Sequence, residues 1–194
     1  PKIESRKNIQ VVVCPSFIDI EEVKKAVVVS NFPLMVGSQD LSPFDEGAYT
    51  GEEAARILKD VVELSILGHS ERRQNFAETD EMVSGKVTQA LQNNIIPLVC
   101  VQSAATPVSE GVKLVAYEPI FAIGTGNPDT PANAAVVAKS LKAKYGQDLG
   151  VLYGGSVTSE NVKHFLNEEV ISGVLVGKAS LDPEEFVKIL EAVW

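Results

Sequence analysis

The chain alternates between short, continuously apolar runs and longer amphipathic stretches, and this alternation limits its possible folds. Continuous rather than every-second-residue hydrophobicity is typical of strands that are buried on both faces, as in a parallel sheet. Seven such runs occur in the sequence, at residues 9–14, 33–36, 64–67, 96–100, 113–117, 151–153 and 173–176. A strand followed by a helix, repeated along the chain, predicts an α/β fold with about seven parallel strands.

Helix starts are legible between these runs. Three pairs fit an N-cap residue with an acid three positions later, namely Asp19 with Glu22, Thr50 with Glu53, and Asp182 with Glu185. Thr130-Pro131 begins a further stretch that ends at Tyr145 before Gly146, the usual proline start and glycine stop. After Gln102 the crossover is too short for a full helix. No linker divides the chain, so residues 1–194 are predicted to form a single domain.

Composition excludes several classes of function. With 45% hydrophobic residues the chain can bury a core, and a net charge of −9 argues against a nucleic-acid or anionic-membrane partner. No apolar run reaches the roughly 20 residues that span a bilayer, and the start lacks a secretory layout, so a cytoplasmic location is expected. Two cysteines, Cys14 and Cys100, fall in strand-like runs and are predicted to be reduced thiols. With only two histidines, a metal site is not expected.

Two polar residues follow buried strands, where barrel active sites are built. His69 lies in Gly-His-Ser-Glu-Arg-Arg, and Glu118 lies in Tyr-Glu-Pro-Ile-Phe-Ala-Ile-Gly-Thr-Gly. A carboxylate base with a histidine that hydrogen-bonds a carbonyl oxygen can abstract a proton next to that carbonyl. Arg72 and Arg73 are expected to make ion pairs, and His164 is expected to be an exposed helix residue.

Glycine-rich turns end two late strands, in Tyr-Gly-Gly-Ser-Val and Val-Gly-Lys-Ala-Ser. Such turns present backbone N–H groups to phosphate, and the hydroxyl of Ser156 is expected to add a donor. Gly124 and Gly126 follow Glu118 in an apolar loop, which predicts a lid that closes over the substrate.

Together these motifs resemble the triosephosphate isomerase family, whose order they keep. The resemblance extends from about residue 11 to the C-terminus and implies a (β/α) barrel. It implies interconversion of dihydroxyacetone phosphate and glyceraldehyde 3-phosphate, a step of glycolysis and gluconeogenesis, without a cofactor. This family is the reference case for a glutamate base, a neutral histidine and a closing loop.

The resemblance also assigns roles to residues of this chain. Glu118 would move the proton between two carbons, and His69 would polarise the carbonyl, with Ser70 and Glu71 as supporting residues. The contacts expected for phosphate come from Gly124, Ser156, Gly177 and Lys178. Glu78 matches a structural acid of the family.

One part of the family pattern has no counterpart in the sequence. The family opens with a strand ending in Asn-x-Lys, whose lysine lies against the substrate, and neither Lys2, Arg6 nor Lys7 follows a strand. We therefore expect an incomplete barrel that lacks the first βα unit, with open edges at residues 9–14 and 173–176. Loss of one such preorganised group typically lowers the rate by about a hundred- to a thousandfold, so activity is expected to be weak or absent.

Two alternatives remain open. Lys178 stands where the family commonly has glycine, so its ammonium either partly replaces the missing lysine or, as we favour, faces solvent. The chain is either an isomerase or a noncatalytic phosphate-binding or assembly subunit of the same fold. Residues 47–52 resemble the loop by which the family forms dimers, so a homo-oligomer is expected, formed through this loop or through the open edges.

Overall fold

A computed structural model describes residues 9–31 and 33–193 of the chain. These residues divide into two compact units. The first lies within Pro1–Val99 and Ser109–Val112, and the second lies within Cys100–Val108 and Lys113–Trp194. Lys2, Arg6 and Lys7, which the sequence analysis excludes from the role of the family's lysine, lie outside the described residues.

All seven predicted apolar runs form strands. The strands are β1 (Val11–Val13), β2 (Leu34–Ser38), β3 (Leu64–Leu67), β4 (Ile96–Val101), β5 (Leu114–Tyr117), β6 (Gly150–Tyr153) and β7 (Gly173–Val174). In the first unit β1 pairs with β2, β2 with β3, and β3 with β4, always in parallel. In the second unit β5 pairs with β6 and β6 with β7, again in parallel. The prediction of a parallel α/β fold is therefore confirmed.

Helices occupy most of the connections between strands. They are α1 (Ile20–Ser30), α2 (Ala55–Leu58), α3 (Ser70–Asn75), α4 (Asp80–Gln92), α5 (Pro131–Tyr145), α6 (Val162–Leu166) and α7 (Pro183–Val193). The connection from β4 to β5 contains turns and no helix among its described residues. This confirms the short crossover predicted after Gln102.

Helix α5 has the ends that its sequence predicts. It begins at Pro131 and ends at Tyr145, with Gly146 as the C-cap. The hydroxyl of Thr130 accepts the N–H of Asn133 at 3.2 Å, so the N-cap satisfies one of the donors that a helix start leaves unpaired. Helix α7 is capped in the same way, because Asp182 accepts the N–H of Glu184 at 3.0 Å.

One predicted helix start is wrong, and another is right in position but lacks the predicted bond from its cap side chain. Thr50 lies in a turn in which the N–H of Glu52 donates to Tyr49 at 3.0 Å, and α2 begins only at Ala55. The local turn uses the donor that a helix start would have needed. Asp19 is the N-cap position of α1 without a capping hydrogen bond from its side chain; its carboxylate accepts the hydroxyl of Ser16 instead.

The apolar core follows the strands. In the first unit the buried side chains include Val36, Leu67 and Val99, and in the second they include Val115, Val151 and Leu141. Neither Cys14 nor Cys100 forms a disulfide among the described residues. Burial raises the pKa of the Cys14 thiol to about 11, so this thiol stays protonated at neutral pH.

Two strands have one neighbour each in the described part of the chain, where β1 pairs only with β2 and β7 only with β6. These are the strands that the sequence predicts as open edges. The N–H and C=O groups on an unpaired side of a strand can pair with another strand.

The first unit also contains a buried cluster of charges around Lys86. This lysine of α4 is 2% exposed, and its ammonium contacts both carboxylate oxygens of Asp40 at 2.7 Å. It also donates to Glu78. Arg72 joins the cluster, with its Nε 2.8 Å from Asp40 and 3.0 Å from Glu78. The structural role expected for Glu78 and the ion pairing expected for Arg72 are therefore confirmed.

Burial and the charges of the cluster shift the pKa values of its two acids in opposite directions. Burial raises the pKa of Glu78, but hydrogen bonds and charges from Lys86 and Arg72 outweigh burial and bring it below its usual value. For Asp40 burial is the larger effect, and its pKa is raised in spite of Lys86. A buried cluster of this kind depends on every partner, because removing one leaves an uncompensated charge.

We therefore expect Lys86→Ala to lower the free energy of unfolding by about 3–5 kcal/mol, the usual cost of breaking a buried ion pair. Urea unfolding followed by circular dichroism measures this difference.

Lys25→Ala is the matched control, because Lys25 pairs with Glu21 on the surface of α1 with both side chains at least 70% exposed. Its expected cost is below about 0.5 kcal/mol. Equal losses in the two variants would contradict a stabilising role for the buried cluster.

Candidate functional site

His69 lies at the start of α3, directly after β3 and Gly68. It is the N-cap residue of this helix, and its side chain caps the helix in place of the more common serine or threonine. The imidazole Nδ1 accepts the backbone N–H of Glu71 at 3.3 Å. This contact orients the ring at the carboxyl end of the strand, as the sequence predicts.

The same contact determines which ring nitrogen carries the proton. Because Nδ1 accepts a hydrogen bond, it is unprotonated, and the neutral ring carries its proton on Nε2. In this tautomer Nε2–H is the hydrogen-bond donor of the ring.

The two residues that follow His69 differ in burial. Ser70 is 2% exposed, whereas the carboxylate of Glu71 faces solvent, with Oε2 3.8 Å from His69 Nδ1. Arg73 donates from Nε to the carbonyl of Gly68 at 2.8 Å and from a terminal nitrogen to Asp80 at 2.6 Å. The ion pair predicted for Arg73 is confirmed, and the arginine fixes the turn before His69.

Glu118 follows β5 in the second unit and is 0% exposed. Its N–H donates to Val101 at 2.8 Å. A side chain added at Gly154 would come within 3.0 Å of Glu118 Cγ, so glycine at this position makes room for the side chain of Glu118. The sequence prediction of a carboxylate at the end of a buried strand is confirmed.

The lid segment, residues 121–126, begins with a short 3-10 helix at Ile120–Ala122. Gly124 and Gly126 have φ angles of +66° and +76°, a region that favours glycine. Phe121 is 62% exposed. The turn at the tip therefore depends on its glycines, and the side chain of Phe121 faces outward, whereas Ala122 is buried.

Ser156, in the turn after β6, holds the lid segment at two points. Its hydroxyl donates to the carbonyl of Ala122 at 2.7 Å and accepts the N–H of Gly126 at 3.2 Å. The hydroxyl proton is thus used to bind the lid segment. This differs from the expectation that it would be donated to a phosphate.

Gly177 and Lys178 lie after β7, and both are exposed. Lys178 opens a 3-10 helix at Lys178–Leu181, with Gly177 as its N-cap. The carbonyl of Gly177 accepts from both the N–H and the hydroxyl of Ser180, at 2.9 and 2.7 Å. These bonds fix the turn, and the exposure of Lys178 agrees with the solvent-facing alternative.

Sequence reasoning missed a polar network beside Glu118. Asp129 accepts the hydroxyl of Tyr117 at 3.2 Å, and its N–H donates to the hydroxyl of Tyr153 at 2.8 Å. In the sequence, Asp129 stands before the cap of α5 and resembles an ordinary helix start. The two tyrosines at strand ends were the only signal that could have revealed the network.

Two general findings concern the described residues as a whole. No group of three or more histidine, cysteine, aspartate or glutamate side chains among them could hold a metal ion. None of their helices combines the length and the apolar character that crossing a membrane requires.

Seven parallel strands, helices in their crossovers and polar residues after the strand ends define an incomplete (β/α) barrel protein. A model of the family described as triosephosphate isomerase matches residues 1–193. The chain belongs to the triosephosphate isomerase family.

Individual relatives agree with this assignment. A protein of Mesomycoplasma hyopneumoniae (strain 7448), named triosephosphate isomerase, is 38% identical over 95% of this chain and 84% of its own length. One of Mesomycoplasma hyorhinis with the same name is 44% identical over 81% of this chain and 73% of its own length. The crystal structure of triosephosphate isomerase from Bartonella henselae is similar with a TM-score of 0.83 at 25% identity, covering 95% of this chain and 86% of that one.

The geometry of His69 predicts its tautomer. In ¹⁵N-labelled protein at mildly alkaline pH, Nδ1 of His69 should resonate as an unprotonated acceptor and Nε2 as a protonated nitrogen. His164→Gln assigns the signals, because the sequence contains two histidines and His164 is exposed on α6. A proton on Nδ1 of His69 would contradict the cap described above.

Proposed function

We propose that this chain interconverts dihydroxyacetone phosphate and glyceraldehyde 3-phosphate, the isomerase step of glycolysis and gluconeogenesis. Membership of the triosephosphate isomerase family supports the substrate class. The observation that carries the proposal within the chain is the fully buried carboxylate of Glu118 at the end of β5. A buried carboxylate beside a closing loop is suited to proton transfer because water is excluded from it.

Glu118 is the proposed base. Its carboxylate takes a proton from the carbon next to the carbonyl of dihydroxyacetone phosphate, which leaves an enediolate. The protonated carboxyl group then returns the proton to the former carbonyl carbon. In the same conversion one oxygen-bound proton passes, through Nε2 of His69, from the hydroxyl oxygen of the first carbon to the former carbonyl oxygen. The first carbon thereby becomes the aldehyde, and glyceraldehyde 3-phosphate forms. Glu118 ends the cycle ionised, so the sequence of steps needs no external acid or base.

His69 is the proposed electrophile. Its Nε2–H donates to the carbonyl oxygen and stabilises the negative charge that develops there as Glu118 removes the proton. The hydrogen bond that Nδ1 accepts from Glu71 places the proton of a neutral ring on Nε2, and a neutral imidazole is a donor whose acidity suits an enediolate oxygen. Ser70 and Glu71 support the ring through the start of α3.

Backbone N–H groups of the second unit are proposed to bind the phosphate. Gly124 lies at the tip of the lid segment, and Gly177 with Lys178 forms the turn after β7. Ser156 connects the lid segment to the turn after β6. We propose that its hydroxyl holds the lid closed while backbone groups contact the phosphate, and that the ammonium of Lys178 stays in solvent.

Turnover by the 194-residue chain is expected to be slow. None of its residues matches the family's strand that ends in Asn-x-Lys, and one missing preorganised charge typically costs about a hundred- to a thousandfold in rate. The isomerase rate is nevertheless expected to be measurable, because Glu118, His69 and the lid segment are all present.

Glu118→Gln tests the proposal. Glutamine keeps the size of the side chain and cannot accept the proton, so kcat should fall by about 10²–10⁴, the range for loss of a general base. A coupled assay with glyceraldehyde 3-phosphate measures it, with Glu169→Gln as the control because Glu169 is exposed in the same unit.

Two outcomes would contradict the proposal. Equal turnover by Glu118→Gln and the parent chain would remove Glu118 as the base. A parent chain that binds inorganic phosphate but shows no turnover would favour a noncatalytic phosphate-binding or assembly subunit.

The chain is further proposed to form a homo-oligomer through residues 47–52, which resemble the dimer loop of the family. Tyr49 of this loop is 46% exposed and stacks on Phe44, with ring centroids 4.3 Å apart. A stacked, exposed aromatic pair is a preformed contact surface, because little side-chain entropy remains to be lost on association.

Sedimentation velocity should therefore show a species larger than a monomer, and Tyr49→Asp should shift the distribution toward the monomer. Val136→Asp also replaces an exposed apolar side chain by aspartate, at a position on α5, and should leave association unchanged. A parent chain that stays monomeric at all concentrations would contradict this proposal.

A further inference from the structure

Asp129 is a buried carboxylate in the connection between the lid segment and α5. It lies three residues after Gly126 and directly before Thr130, the N-cap of α5, and it is 8% exposed. A buried ionised group is costly unless it is paired or hydrogen-bonded. The hydrogen-bond partners of Asp129 therefore indicate the role of its carboxylate.

Four hydrogen bonds connect Asp129 to three elements. Its Oδ2 accepts the hydroxyl of Tyr117 at 3.2 Å and the side-chain amide of Asn133 at 2.7 Å. Its Oδ1 accepts the N–H of Thr130 at 2.7 Å, and its own N–H donates to the hydroxyl of Tyr153 at 2.8 Å. These partners are neutral donors and acceptors on β5, β6 and α5.

The two tyrosines are fixed points. Tyr117 and Tyr153 face each other in the parallel register of β5 and β6. Tyr153 is buried and stacks on Phe165, with ring centroids 3.8 Å apart and planes 9° apart. A residue that bonds to both hydroxyls is therefore held against the rigid ends of two strands.

The protonation of the tyrosines keeps these bonds intact. Burial, reinforced by the negative charge of Asp129, raises the pKa of Tyr117. Burial raises the pKa of Tyr153 to about 12. Both hydroxyls keep their protons over the whole physiological range, so Tyr117 remains a donor to Asp129.

Tyr117 directly precedes Glu118, and the lid segment follows Glu118. The N-terminal end of the lid segment is thus tied covalently to the strand that carries the proposed base. Through Asp129, the C-terminal end is tied to the same strand by a side-chain bond. Both ends of the lid segment are therefore attached to β5, independently of the conformation of the tip.

We propose that the side chain of Asp129 is a positioning group that anchors the C-terminal end of the lid segment to Tyr117 of β5, and so holds the lid beside Glu118. The inference rests on the proposed isomerase function for its catalytic consequence, and it deepens that function by naming what holds the lid. Ser156 bonds the lid segment at Ala122 and Gly126, and the side chain of Asp129 fixes its C-terminal end.

A simpler role would be a helix cap, since Asp129 also bonds Thr130 and Asn133 at the start of α5. The two roles differ in their partners. Tyr117→Phe removes the hydroxyl on the strand side and leaves the helix contacts, whereas Asn133→Ala removes a contact on the helix side. Anchoring of the lid predicts that the first change loosens the lid segment, and a helix cap predicts that only the second has an effect, on α5.

Hydrogen exchange followed by mass spectrometry on the 194-residue chain measures the anchor without any need for activity. Peptides covering residues 119–128 should exchange about tenfold faster or more in Asp129→Ala, the factor expected for lost hydrogen bonds to a charged group. Tyr117→Phe should accelerate the same peptides, and Asp129→Asn should fall between Asp129→Ala and the parent. Asp148→Asn is the matched control, because Asp148 is an exposed acid that pairs with Lys113 at 2.7 Å.

The catalytic arm uses triose phosphate turnover and inhibition by inorganic phosphate. Asp129→Ala should lower kcat/KM by about tenfold, with phosphate binding weakened in parallel, because the lid then closes less often. Asp148→Asn should leave both unchanged. A merely structural role would lower thermal stability without a selective change in the exchange of residues 119–128.

The outcomes separate the two proposals. Lid exchange and kcat/KM within twofold of the parent in both Asp129→Ala and Tyr117→Phe would overturn the anchor. A parent chain without turnover would overturn the isomerase function, while the exchange of residues 119–128 would still decide the anchor. If Asp129→Ala does not fold, Asp129→Asn and Tyr117→Phe decide the question, because both keep the size of the side chain.

Discussion

The parallel pairing of β5 with β6 places Tyr117 opposite Tyr153, so these strands end at the same level. From this register follow the position of Glu118 immediately after one strand and of Gly154 immediately after the other. Because Gly154 has no side chain, Cγ of Glu118 can lie against the turn. The same register presents two tyrosine hydroxyls to Asp129, and the lid segment is thereby attached at both of its ends.

The two units are stabilised in different ways. In the first, a lysine from the buried face of α4 compensates two carboxylates inside the protein, so stability there depends on complete charge pairing. In the second, neutral hydroxyl and amide donors surround one carboxylate at the lid. Hydrogen bonds of this kind hold a loop in place without locking it as tightly as a buried ion cluster would.

Regular elements were predictable because their signals are local. The seven strands follow from continuous apolar runs, and α5 follows from Thr130, Pro131 and Gly146. The helix start predicted at Thr50 is wrong because the tight turn at residues 49–52 contains the same residue types as a helix start. Only the conformation of the surrounding backbone distinguishes the turn from a helix. The hydroxyl of Ser156 was expected to meet phosphate, but its proton goes to Ala122, a partner 34 residues away in sequence.

The sequence by itself determined the family, the parallel α/β class and the places of His69 and Glu118 after their strands, because these depend on order along the chain. Only the tertiary structure showed that Lys86 is paired inside the protein and that Asp129 joins the lid segment to two strands. Both depend on which distant side chains share one buried volume. The local sequence around a lysine in a helix, or around an aspartate before a helix, is the same whether the residue is buried or exposed. Only when the residue is buried does its stability depend on which partners it meets.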